Sequence, residues 1–158
     1  MNSIVFNTPI GYIKIAEEMG IITEITYMEH YEKPQGECTD VLAKAQKQLE
    51  EYFEGERKEF SLPLKIEGTD FSKKVLAELA KVPYGSTITY GGLAEKCGSP
   101  KAARAVGSTM RKNPFVIVLP CHRVLPQGGK LGNYSAGGPA NKDWLITFEK
   151  QNSGFALF

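Results

Sequence analysis

The spacing of apolar residues changes character along this 158-residue chain, and that change limits what it can fold into. Between residues 4 and 28, Val5, Ile10, Tyr12, Ile13, Ile15, Ile21, Ile22, Ile25 and Tyr27 are β-branched or aromatic and partly alternate. Thr8-Pro9 and Met19-Gly20 interrupt them as turn signals. This pattern predicts short strands in a small antiparallel sheet. From Val41 the period becomes helical: Val41, Leu42, Ala45, Leu49, Tyr52 and Phe53 predict a helix over 41–53. Thr39 or Asp40 can cap it and Gly55 stops it.

Residues 54–69 are polar, contain Pro63 and Gly68, and mark a boundary between domains 1–68 and 69–158. Beyond it helices dominate. Phe71, Val75, Leu76 and Leu79 form one stripe of a helix over 71–81, capped by Thr69 or Asp70. A short helix over 90–97 and a second over 101–112 are joined by Gly98-Ser99-Pro100, with Ser99 as N-cap and Pro100 at the first helical position. Two helices joined in this way predict a helix-turn-helix. Lys101, Arg104, Ser108 and Arg111 fall on one face of the second helix. Ala102, Ala105, Val106, Thr109 and Met110 fall on the core side, and the small Ala102, Ala103 and Gly107 permit close approach to a groove. Phe115–Leu119, bounded by Pro114 and Pro120, predicts a buried strand. Residues 126–139 read as a Gly-rich loop, and 141–150 as a last helix with Trp144, Leu145 and Phe148 facing the core. The tail after Gln151 is expected to be poorly ordered. The fold class is therefore α+β, a small sheet with a helix followed by a mostly helical domain.

Charge sorts with this division. Residues 1–68 hold 7 Lys/Arg and 13 Asp/Glu, a net of −6, whereas 69–158 hold 12 and 5, a net of +7. From Lys96 to Lys142 there are eight basic residues and no acidic one. A basic half carrying a helix-turn-helix predicts contact with a polyanion, here nucleic acid. No apolar run is long enough to span a bilayer, and no secretory leader is evident, so a cytoplasmic or nuclear protein is expected. Three cysteines, Cys38, Cys97 and Cys121, without CxxC spacing, argue against a disulfide framework. With only His30 and His122 beside them, neither a metal site nor another cofactor is expected.

The reactive group is Cys121, in Pro120-Cys-His-Arg-Val124 after the predicted strand. A cysteine needs a base or a positive field to become a thiolate. His122 and Arg123 are candidates for both, and Glu149 or Asp143 could orient the histidine. On extended backbone, neighbouring side chains point apart, so a bridging water is the expected relay between His122 and Cys121. Cys97 reads as core packing and Cys38 carries no assigned role.

Several ordered motifs make the chain resemble the O6-alkylguanine-DNA alkyltransferase family. They are Tyr84-Gly85, Thr89-Tyr-Gly91, Lys101-Ala-Ala-Arg-Ala-Val-Gly107, Asn113-Pro114, Pro120-Cys-His-Arg-Val124 and Gly132-Asn-Tyr-Ser135, in order between about Val82 and Glu149. Residues 1–68 match in general layout, similar to the family's ribonuclease-H-like domain. The resemblance implies repair of O6-alkylguanine, and of O4-alkylthymine, by irreversible transfer to Cys121 from a flipped base. It implies His122 as base through water, Glu149 as its orienter, Asn113 as a brace, and Tyr90 on the base and flanking phosphate. It places Arg104 in the vacated stack, with Lys101, Ala102, Ala103, Ser108 and Arg111 on a helix in the minor groove of double-stranded DNA. Backbone carbonyls of Cys121 and Val124, with Tyr134, Ser135 and Ala136, would form the base pocket. A monomer is expected, with cooperative loading on DNA left open. The chain departs from the family at Ala136, where a glycine is common, and at Pro139-Ala140, both near the pocket lid. Two other readings remain at this stage: a lesion-binding or helix-turn-helix regulatory protein without transfer, and a cysteine hydrolase built on Cys121 and His122.

Overall fold

The computed structural model describes residues 1–153, which fall into two compact units, Met1–Ile66 and Glu67 onward. In the first, β1 (Asn2–Thr8), β2 (Gly11–Glu18) and β3 (Ile21–Met28) form an antiparallel meander in the order β1-β2-β3. Met19 and Gly20, both at positive φ, make the β2–β3 turn. The imperfect alternation has a cause. Ala16 pairs with Glu24 but Glu17 with Ile22, so Thr23 is an extra residue in β3. That bulge lets Ile22 and Ile25 both bury fully despite their odd spacing. Helix α1 (Asp40–Phe53) covers the sheet with Leu42, Ala45, Leu49 and Tyr52, all buried, and Gly55 ends it at φ 80. The polar stretch that follows is partly structured: Ile22 and Leu64 form a parallel bridge, flanked by backbone hydrogen bonds of 2.8 Å on either side.

The second unit is helical, with one small parallel ladder. Helix α2 (Asp70–Leu79) is capped by the Thr69 hydroxyl, which accepts from the Ser72 N–H, and buries Val75, Leu76 and Leu79. The two-residue strands β4 (Ile88–Thr89) and β5 (Val124–Leu125) pair in parallel, a ladder too short to leave a sequence signal. Thr89 also caps α3 (Tyr90–Lys96) through the Gly92 N–H. Helix α4 (Ala103–Arg111) packs on α3 and α2. Helix α5 (Gly138–Gln151) ends the described fold. Among the described residues no helix is long and apolar enough to cross a membrane.

Four expectations are corrected. The helix expected from Lys101 begins at Ala103. The Ser99 carbonyl accepts from the Ala102 N–H, so Pro100 sits inside a turn rather than at a helical N-terminus. On that helix Val106 and Met110 are buried, whereas Ala105 is exposed. Residues Phe115–Leu119 are buried but are not a strand. Turn hydrogen bonds run from Val118 to Val116, from Leu119 to Phe115 and from Cys121 to Leu119, and Ile117 sits at φ 72. An apolar run between two prolines has no period to distinguish a strand from a chain of turns. On α5 the buried stripe is Lys142, Leu145, Ile146 and Glu149, while Trp144 and Phe148 are half-buried and stack on each other at 5.0 Å. After Gln151, Asn152 is held by a 3.2 Å hydrogen bond to the Tyr84 hydroxyl, and residues 154–158 lie outside the described part of the chain.

Candidate active site

The 115–119 turns deliver the next residues to one place, and Asn113 holds them there. Its side-chain amide donates to the Leu119 carbonyl at 2.9 Å and the Phe115 carbonyl at 3.4 Å, and its oxygen accepts from the Phe115 N–H at 3.0 Å. A β-branched residue at positive φ is strained, and a clamp across both ends of the loop keeps Ile117 there. The chain then enters a 3-10 turn, Cys121–Arg123, rather than the extended backbone expected. Consecutive side chains diverge on that turn, so Cys121 and His122 have different surroundings.

Cys121 is only 4% exposed, yet it forms part of the wall of a cleft of about 990 Å³. Tyr90 from α3, Ala103, Arg104, Gly107 and Arg111 from α4, and Tyr134 and Ser135 from the loop before α5 line it as well. Burial pushes the Cys121 thiol up, against the opposing pull of Asn113 and of the Lys142 charge. The resting group is therefore a thiol that must lose its proton to react.

His122 is fully buried. Its Nε2 lies 2.6 Å from Glu149 Oε2. Burial lowers the His122 pKa although Glu149 works in the other direction, so the neutral imidazole is the stable form. Arg123 reaches the same carboxylate, donating from Nε to Oε1 at 2.8 Å and from Nη2 to Oε2 at 3.0 Å, and gives Nη1 to the Val82 carbonyl at 2.7 Å. Burial alone would raise Glu149, but His122 and Arg123 hold it ionised, at about 2. An ionised carboxylate accepts, so the imidazole donates from Nε2 and its lone pair lies on Nδ1. That Nδ1 is buried and has no partner among the described residues. Asp143, the other candidate, is exposed. Arg123, expected near the thiol, is instead spent on Glu149 and Val82.

The remaining predicted residues divide. Arg104 and Arg111 are exposed on the α4 side of the cleft, with Ala103 half-buried beside them. Lys101, Ala102 and Ser108 lie outside its wall, Lys101 being exposed. Tyr90 rests against α4, where a Cβ on Gly107 would come 3.9 Å from its ring. Burial raises its pKa, so it remains a phenol. The Tyr134 hydroxyl is buried, without a partner among the described residues. Val124, in β5, and Ala136 are fully buried and are not among the wall residues. Ala136 acts through its carbonyl, which accepts from the Asn141 amide at 2.9 Å, and Gly137, at φ 96, then turns the chain into α5. Pro139 does reach the cleft.

Lys142 was not anticipated. It is fully buried, donates from Nζ to the Asn133 carbonyl at 3.2 Å and sits 5.9 Å from the centre of the Tyr90 ring. Burial lowers its pKa to about 8. The available signal was its position: Lys142, Leu145, Ile146 and Glu149 share one helical face, and two charged residues in a core stripe mark a site. Among the described residues no group of His, Cys, Asp and Glu could hold a metal ion.

Fold and site together define a thiol protein whose recessed cysteine opens between a helix-turn-helix and a glycine-rich loop. Residues 70–151 match the family described as 6-O-methylguanine DNA methyltransferase, DNA binding domain, and residues 1–66 its ribonuclease-like domain. The chain belongs to the 6-O-methylguanine DNA methyltransferase family. It is 40% identical over 151 residues to the constitutive methylated-DNA–protein-cysteine methyltransferase of Bacillus subtilis, covering 90% of this chain and 92% of that one. It is 41% identical over 150 residues to the methylated-DNA–protein-cysteine methyltransferase of Methanosarcina acetivorans, covering 92% and 96%. The crystal structure of Mycobacterium tuberculosis OGT in complex with DNA is similar at a TM-score of 0.84 and 36% identity, covering 95% of this chain and 93% of that chain.

Proposed function

We propose that this protein repairs DNA by taking the alkyl group from O6 of guanine, and from O4 of thymine, onto Cys121 in one irreversible step. The observation that carries this reading is the Cys121 thiol on a cleft wall, followed in the chain by a neutral His122 whose Nε2 is engaged by Glu149 and whose buried Nδ1 has no partner among the described residues.

The steps follow from these groups. The target atom is inaccessible inside duplex DNA, so the nucleotide is turned out into the cleft, at a cost of a few kcal/mol. Arg104, exposed on α4, enters the vacated stack from the minor groove, with Ala103 and Gly107 allowing close approach and Lys101, Ser108 and Arg111 next to phosphates. Through one water, His122 Nδ1 takes the Cys121 proton, and Glu149, held in place by Arg123, steadies the imidazolium that forms. The thiolate attacks the alkyl carbon; the S–C bond forms as the C–O6 bond breaks, and the electron pair passes to the guanine. The Tyr90 phenol supplies a proton to the departing base. Tyr134 and Ser135 border the base, and Asn113 keeps the Cys121 turn in place. The thioether has no group beside it to cleave it, so each chain acts once, as a monomer.

The test is peptide mapping after incubation with duplex DNA containing one O6-methylguanine. The expected result is methylation of the Cys121 peptide alone. Lesion binding by folded protein without methylation would overturn the proposal in favour of a lesion sensor.

A further inference from the structure

Lys142 is a buried cation that the steps above leave unused. Its ammonium is enclosed by residues of the cleft wall: the Asn133 carbonyl at 3.2 Å, the Tyr90 ring at 5.9 Å from its centre, and Gly132, where a Cβ would lie 3.8 Å from Nζ. Gly132 cannot be replaced there, because it sits at φ 75 and a Cβ would meet Pro126 at 2.7 Å. The loop is thus shaped to approach Nζ closely. Among the described residues no carboxylate pairs with Lys142. The carboxylate on its own helix face, Glu149, is bound by His122 and Arg123. Burying an ammonium without a counter-charge is costly, and chains retain such groups where a charge develops nearby.

We propose that Lys142 is a positioning residue of the transfer site, whose ammonium serves as the counter-ion of the Cys121 thiolate. The proposal rests on Cys121 being the alkyl acceptor. The titratable groups coupled to Lys142 or in contact with it are Tyr90 from α3 and Cys121 and His122 from the 3-10 turn, while Tyr134 lines the same cleft. Tyr90 and Tyr134 are held as neutral phenols by burial. The Lys142 charge favours ionised Cys121 and disfavours protonated His122. It therefore keeps the base in its accepting form and lowers the energy of the nucleophile. Coupling is mutual, so the thiolate also holds the Lys142 proton in place. Once Cys121 is a thioether no thiolate can form, and the ammonium has no charge to balance.

The experiment measures Cys121 ionisation without DNA, as the pH dependence of its alkylation by iodoacetamide, read on the Cys121 peptide. Wild type is compared with Lys142→Met and Lys142→Arg, with folding checked by circular dichroism. The expected result is an inflection about one pH unit higher in Lys142→Met, hence about tenfold less thiolate at neutral pH, restored by Lys142→Arg. A folded Lys142→Met with the wild-type inflection would overturn the proposal. A second measurement needs no Lys142 variant: the Lys142 side chain, titrated by NMR, should lose its proton at lower pH in Cys121→Ser than in wild type. Equal values would contradict the coupling. Methyl transfer from DNA is scored separately: its absence in wild type overturns the acceptor reading, whereas unchanged thiol titration with transfer intact overturns only the role of Lys142.

Discussion

Glu149 binds His122 and Arg123 with one buried carboxylate, at 2.6 Å to Nε2 of the histidine and 2.8 Å to Nε of the arginine. The three residues join α5 to the reactive turn, and the carboxylate decides which imidazole nitrogen is left to act as a base.

Replacing that carboxylate by an amide leaves the Arg123 charge buried without its counter-ion. Glu149→Gln is expected to destabilise the fold by roughly 3–5 kcal/mol. It should also slow transfer at least tenfold, because the imidazole loses its fixed orientation. Urea unfolding and single-turnover transfer rates check the two effects.

The same carboxylate predicts acid sensitivity. Its pKa falls from an ordinary 4.5 to about 2 on folding. The unfolded chain then binds more protons than the folded one, so stability is lost as pH drops from about 4.5 towards about 2. His122, lowered by burial, adds a loss of the same sign that begins below its ordinary 6.5. Stability measured against pH should fall less steeply below 4.5 in Glu149→Gln than in wild type.

Asn113 satisfies a buried N–H and two carbonyls of the loop before Cys121. Asn113→Ala leaves these groups unpaired and should cost about 2–3 kcal/mol. It should also reduce transfer beyond what the lost stability explains, since Ile117 is no longer held at its positive φ. Rates measured well below the unfolding midpoint separate the two.

Arg104 is exposed at the cleft. Arg104→Ala is expected to change stability by no more than about 0.5 kcal/mol. It should slow repair of duplex DNA far more than reaction with a free O6-alkylguanine base, which needs no extrusion. Equal slowing of both would remove Arg104 from the flipping step.

Lys101, Arg111 and Lys112 are exposed on and beside α4. Removing any one that contacts a phosphate should lower the salt dependence of DNA binding by about one unit of log–log slope. Titrations at several salt concentrations read this directly.

Much of this site is legible in the sequence because its parts lie close together in the chain. Cys121, His122, Arg123, Tyr134 and the α4 face are local patterns, and the strands and helices follow from apolar spacing. What the sequence hides is non-local or aperiodic. The loop at 115–119 is as apolar as a strand, and only the Asn113 bonds and the Ile117 backbone reveal turns. The aromatic Trp144 and Phe148 drew the core side of α5 away from Lys142 and Glu149, though the polar pair carries the chemistry. Chain adjacency suggests Arg123 as a partner of Cys121, whereas the 3-10 turn points it to a carboxylate 26 residues away.

The central claim is that one sulfur takes one alkyl group and is consumed. Its most direct test counts methyl groups lost from an excess of duplex containing O6-methylguanine, per mole of active protein, over time. A plateau at one per chain, absent in Cys121→Ala, is the predicted result. Continued loss beyond one per chain, or an undiminished plateau in Cys121→Ala, would contradict it.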